Sequence, residues 1–277
     1  MIRLSAFADE IAADPAIQVA VLLSEHIHFV EFRSAWETNV LDLSDQQITE
    51  VRRIFTANQI GVSALGSPVG KVPIDTSFEA YQQRVERAIV VAQALGTSSI
   101  RMFSFYPPTD PADSDYAIWR DEALRRLRLF TERARAAGMI LLHENEKGIY
   151  GDTIARNVDL LQSINDPAFC SVLDPANYLQ CAQTPYPDAY EAILPWLRSV
   201  HVKDVRADGK LVVAGAGDAR WPELLQRLRQ DGYDGFLALE PHLAAAGQYQ
   251  GFSGPELFRQ ASQALQHLLQ QMNWDYA

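Results

Sequence analysis

Apolar residues follow two rhythms along this chain. Short continuous runs of four to six residues alternate with longer stretches in which apolar positions recur every three or four residues. The runs predict strands over Ile2–Phe7, Phe29–Phe32, Gly61–Leu65, Ser98–Phe103, Met139–His143, Phe169–Leu173, Ser199–Val202 and Gly235–Leu239. Helices are predicted between them. Asp14 or Pro15 opens the first, and Ser44 with Gln47 three residues on has the form of a capping box for the second. Glu79–Leu95 and Asp121–Ala137 each stop at a glycine, Gly96 and Gly138, a residue that readily takes the left-handed turn closing a helix. Ile154–Ile164, Asp188–Leu197, Trp221–Asp231 and Pro255–Gln271 complete the set.

Eight strand–helix units of about 35 residues use nearly all of the 277 residues, and roughly 250 is typical of one (β/α)8 barrel. A doubly wound sheet is the competing α/β architecture, but no glycine-rich dinucleotide fingerprint follows the first strand. No Pro/Gly/Ser-rich linker divides the chain, so residues 1–277 are expected to form a single barrel domain rather than two smaller ones.

Four of the last runs stop on a ligand-type side chain: Glu144, Asp174, His201 and Glu240. A (β/α)8 barrel builds its active site at the carboxyl ends of its strands. Two glutamates, an aspartate and a histidine form a mixed oxygen and nitrogen set suited to one divalent ion such as Mn, Co, Mg or Zn. Residues i and i+2 share a face of a strand, so Leu142, Val172, Ser199 and Ala238 sit beneath these four tips. Glu146 has the same parity as Glu144, and spacing leaves it as an alternative ligand. Arg33, Lys71, Arg101 and Lys203 fall near strand ends, where cations clamp a phosphate, carboxylate or hydroxyl of a substrate; pairing with Glu31, Asp9 or Glu10 is the structural alternative. Phe7 and Trp36 are expected to wall the pocket, His242 is a candidate for its mouth, and His143 should point away from Glu144.

The net charge of −11 argues against nucleic acid or an anionic membrane as the main partner. No apolar stretch reaches the ~18 residues of a spanning helix, and the first ten residues turn acidic too soon for a secretion signal. Cys170 and Cys181 have no metal spacing and read as reduced thiols of a cytoplasmic protein.

Several segments carry a resemblance: Ser5-Ala-Phe-Ala-Asp-Glu10, Gly66-Ser-Pro-Val-Gly-Lys71, His143-Glu-Asn-Glu146, Leu173-Asp-Pro-Ala-Asn177, His201-Val-Lys-Asp204, Leu239-Glu240, and Gly217-Asp218 ahead of Gly232-Tyr-Asp-Gly235. In this order and spacing they resemble the xylose isomerase-like TIM barrel superfamily, in its sugar phosphate isomerase/epimerase branch. The resemblance implies that Glu144, Asp174, His201 and Glu240 bind one divalent metal ion and that the two glutamates double as the acid/base pair. It adds Asn177 and Arg206 as substrate contacts, and it implies a homo-oligomer, although no interface is readable in the chain. The implied activity is epimerisation or isomerisation of a ketose, keto-sugar acid or sugar phosphate by proton abstraction, with the metal stabilising the enediolate as a Lewis acid. An inosose-type dehydratase begins with the same abstraction and is the alternative. An endonuclease IV-like phosphodiesterase needs several more histidines, and this chain has Asn177 where that family places one. A non-catalytic binding barrel would be favoured by loss of a ligand, yet all four are present.

Overall fold

A computed structural model describes residues 1–109, 115–244 and 253–277. Its barrel strands are β1 (Arg3–Ala6), β2 (Phe29–Phe32), β3 (Gly61–Val69), β4 (Ser99–Met102), β5 (Ile140–Glu144), β6 (Phe169–Leu173), β7 (Leu197–Val202) and β8 (Phe236–Leu239). Each strand pairs in parallel with the next, and β1 pairs with β8, so the barrel closes and leaves no edge. The main helices that pack outside are α1 (Pro15–Ser24), α2 (Asp45–Ala57), α3 (Phe78–Leu95), α4 (Tyr116–Ala136), α5 (Ile154–Ile164), α8 (Trp221–Gln230) and α9 (Gly254–Gln271), with two short ones, α6 (Pro175–Gln180) and α7 (Tyr190–Ile193).

Local chemistry explains most boundaries. The Ser44 hydroxyl accepts from the Gln47 N–H at 3.2 Å while Gln47 Oε1 accepts from the Ser44 N–H at 2.9 Å, a complete capping box. Gly96 and Gly138 follow α3 and α4 with φ of 77° and 73°. Helix α4 begins at Tyr116, five residues before the expected Asp121, because the Asp115 side chain caps it by accepting from the Ala117 N–H. The helix expected over Asp188–Leu197 is reduced to α7, between a wide turn over Pro185–Ala189 and a tight one over Leu194–Trp196. Pro187 and Pro195 supply no N–H, and a regular ladder cannot run through them. Strand β3 extends to Val69, beyond the expected Leu65, with a break in its register with β4 between those residues.

Alternation along the strands separates two apolar layers. Residues such as Leu4, Val30, Ile100, Leu141, Leu173, Val200 and Leu237 join the large core shared with the helices. Ala64, Leu142, Cys170 and Val172 form a separate buried cluster inside the barrel. Leu142 and Val172 therefore occupy the supporting positions expected of them, and the polar tips above them lie at the carboxyl ends of the strands.

Candidate metal centre and active site

Glu144 is the last residue of β5, His201 is the last but one of β7, and Asp174 and Glu240 directly follow β6 and β8. All four are buried. One ligand atom from each lies within 4.8 Å of every other. Asp174 also caps α6, its Oδ1 accepting from the Asn177 N–H at 2.9 Å, with Pro175 at the first helical position. Asn145 ties the two strand ends together, donating to the Asp174 carbonyl and accepting the Asp174 N–H, both at 2.9 Å. Glu146 lies at the rim instead, 3.1 Å from Lys71 Nζ.

The donor atoms fit a metal ion. His201 Nε2 sits 3.2 Å from Glu31 Oε2, while its buried Nδ1 has no hydrogen-bond partner and stands 3.4 Å from Glu144 Oε1 and 3.8 Å from Glu240 Oε2. A carboxylate behind the far nitrogen is the usual way of fixing a metal-binding imidazole. Asp174 Oδ2 is likewise buried without a hydrogen bond; Lys203 Nζ is 2.7 Å away, an ion pair lacking hydrogen-bond alignment. Among the described residues, six buried carboxylates meet here (Asp9, Glu10, Glu31, Glu144, Asp174 and Glu240) against the permanent cations Arg33, Arg101 and Lys203. A divalent cation offsets most of that excess.

The same charges set the ionisation of the site. Burial alone would lower the His201 pKa, but the Glu31 and Glu144 carboxylates override it and push it up to about 10. Burial would raise both glutamates, yet His201 and Arg101 hold Glu144, and Lys203 and His242 hold Glu240, below the usual carboxylate range. Burial raises the Asp174 carboxyl, Lys203 opposes it, Glu144 and Glu240 add to it, and it stands at about 6.

The expected substrate contacts divide. Arg33 is paired with Asp9 at 2.7 Å, Glu240 at 2.6 Å and Glu10 at 3.4 Å, and Arg101 with Glu144 at 3.0 Å. The structural alternative of pairing with Asp9 or Glu10 thus describes Arg33. Lys203 reaches Asp174 and Glu240, and Asn177 Nδ2 donates to Glu144 Oε1 at 3.2 Å. Lys71 is exposed at the rim. Arg206 is exposed and donates through Nε to the Ala216 carbonyl, outside the four-ligand cluster. Phe7 is fully buried beneath the site, and Trp36 is half-buried. His143 points away, its Nδ1 3.1 Å from Asn157 Oδ1. His242 bridges Glu10 at 3.1 Å and Glu240 at 3.3 Å. Two residues carry more than sequence reasoning assigned them: Glu31, which buttresses His201, and Asn145. A charged residue inside the otherwise apolar run of β2 was the available signal for Glu31; nothing in the pattern marked Asn145.

The family model for xylose isomerase-like TIM barrels matches residues 22–268. The chain belongs to that family. Solved structures with this fold include a D-tagatose 3-epimerase-like protein, at 16% identity and a TM-score of 0.77 with 98% of each chain covered. D-psicose 3-epimerase with D-tagatose from Clostridium cellulolyticum H10 superposes at 0.73, with 17% identity over 96% of this chain and 98% of its own. The probable 3-DHS dehydratase AsbF from Bacillus anthracis superposes at 0.74, with 16% identity over 96% of this chain and 99% of its own. At such identities these likenesses establish a shared fold. No curated protein matches the chain in sequence. Among the described residues, no helix of this xylose isomerase-like barrel is long and apolar enough to cross a membrane.

Proposed function

We propose that this xylose isomerase-like barrel is a divalent-metal-dependent epimerase or isomerase of a ketose or related keto-sugar. The observation that carries the reading is the convergence of Glu144, Asp174, His201 and Glu240, with ligand atoms all within 4.8 Å. These four residues would hold the ion, which when bound supplies a Lewis acid against charge developing on a substrate carbonyl oxygen. Glu144 and Glu240 come from strands on different sides of the cluster and act as the proton-transfer pair. Glu144 and Glu240, both held ionised by the surrounding cations, accept the proton next to the carbonyl or return it. Transfer from one face and return at the other inverts a stereocentre; transfer between adjacent carbons interconverts aldose and ketose. Lys203 and Asn177, both buried beside these carboxylates, are placed to bind substrate hydroxyls.

Elimination of water from a keto-polyol starts with the same proton abstraction, and the dehydratase among the structural neighbours keeps that reading as the second one. Elemental analysis of undialysed protein, followed by a screen of ketoses in heavy water, tests both. About one divalent ion per chain with deuterium entering the recovered sugar is the expected result. Formation of an ultraviolet-absorbing enone would select dehydration. Glu240→Gln is expected to keep the fold and lose at least about 100-fold of the exchange; wild-type exchange in that variant rejects the mechanism.

A further inference from the structure

The two proton-transfer glutamates are held in the same manner by different arginines. Glu240 Oε1 receives Arg33 Nη1 at 2.6 Å, while Oε2 faces Lys203 Nζ at 3.3 Å and His201 Nδ1 at 3.8 Å. Glu144 Oε2 receives Arg101 Nη1 at 3.0 Å, while Oε1 faces His201 Nδ1 at 3.4 Å and Asn177 Nδ2 at 3.2 Å. In both carboxylates one oxygen receives a guanidinium, on Glu240 alongside His242 Nε2 at 3.3 Å, and the other faces the centre of the cluster.

The arginines are themselves braced. Phe7, fully buried, has the Arg33 guanidinium carbon 4.7 Å and that of Arg101 4.8 Å from its ring centroid, and meets the His201 ring edge-on at 5.0 Å. Gly66 lets this stack approach β3: a β-carbon there would lie 3.0 Å from Arg33 Cβ and 3.1 Å from Phe7 Cε1. Its carbonyl accepts from Arg101 Nη2 at 3.2 Å, and Asp9 Oδ2 accepts from Arg33 Nε at 2.7 Å. The four metal-binding candidates come from β5 to β8, whereas Phe7, Glu31, Arg33, Gly66 and Arg101 come from β1 to β4 or directly follow them.

We infer that Arg33 and Arg101, stacked on Phe7, are positioning residues that each hold one oxygen of a glutamate and so leave the other facing the ion. The inference rests on the metal-dependent reading above. A planar guanidinium fixes the direction of a carboxylate in a way that a loose ammonium does not. Without it the carboxylate swings and offers both oxygens inward.

The test is the visible spectrum of the cobalt(II)-loaded protein together with cobalt affinity, since coordination change alters the band where a merely structural role does not. Arg101→Met is expected to bind cobalt with a changed band, with affinity or deuterium exchange altered by about 10- to 100-fold. Arg101→Lys should recover part of either change. Phe7→Leu keeps every charge and removes the brace, so it should move the band in the same sense and remains informative if Arg101→Met does not fold. Cobalt uptake with the wild-type band and wild-type exchange in both variants overturns the inference alone. A wild-type protein that takes up no cobalt overturns the metal reading and the inference with it.

Discussion

His143 and His201 are both buried in one barrel, yet their surroundings shift their pKa values in opposite directions. Burial pushes His143 down to about 4, against a weak opposing pull from Asn157 and Glu144. His201 is pushed up to about 10 because Glu31 and Glu144 outweigh the same burial. The folded pKa of His143 lies below the ordinary value of 6.5, so between 6.5 and about 4 the unfolded chain binds a proton that the native barrel refuses. Stability is unaffected by this group above pH 6.5 and falls as pH drops toward 4, by about 3 kcal/mol at most. Urea unfolding of the wild type and His143→Gln at pH 7.5 and 4.5 should show a smaller acid loss in the variant; equal losses reject the assignment. Parity placed His143 away from Glu144, but the sequence held no sign of its charge state, which is set by burial against the opposing hydrogen bond from Asn157 on α5.

At the scale of elements, the loop after β7 is organised by one side chain. Asp204 accepts the backbone N–H groups of Val205 at 2.9 Å, Gly215 and Gly217 at 3.0 Å and Ala219 at 3.1 Å. Trp221 Nε1 donates to the Lys203 carbonyl at 3.3 Å, which fastens α8 to the same strand end. Asp204→Ala leaves these donors without their partner and is expected to cost about 3 kcal/mol, read as a lower urea midpoint. A midpoint within error of wild type would show that the loop has another anchor. The sequence reading marked Asp174 as the end of a strand but gave it no part in starting a helix. It did not show α6 itself, because six residues are too few for a periodic pattern to register. The fragmented helix near Pro187 and Pro195 was overestimated for the converse reason: apolar spacing persists where the N–H donors do not.

At the scale of the whole molecule, ligands from one half of the barrel lean on buttresses from the other, so ion binding should stabilise both halves together. A metal at 100 times its Kd adds about 2.7 kcal/mol, which for a chain of this size raises the melting temperature by roughly 5 °C in one transition. Calorimetry with and without Mn or Mg checks this, and an unchanged melting temperature at saturating metal would argue against the site. Much of this architecture was legible in order along the chain. Apolar run length, helical spacing and caps are local properties, and so is the placement of Glu144, Asp174, His201 and Glu240 at strand ends. The eight strand–helix units already implied a closed barrel, whereas the choice of Glu144 over Glu146 in the cluster and the pairing of Arg33 and Arg101 with the glutamates were decided only by tertiary structure. Those contacts join residues up to 207 positions apart, and the partner of a buried charge is set by which strand ends meet across the barrel, a distance that no spacing along the chain records.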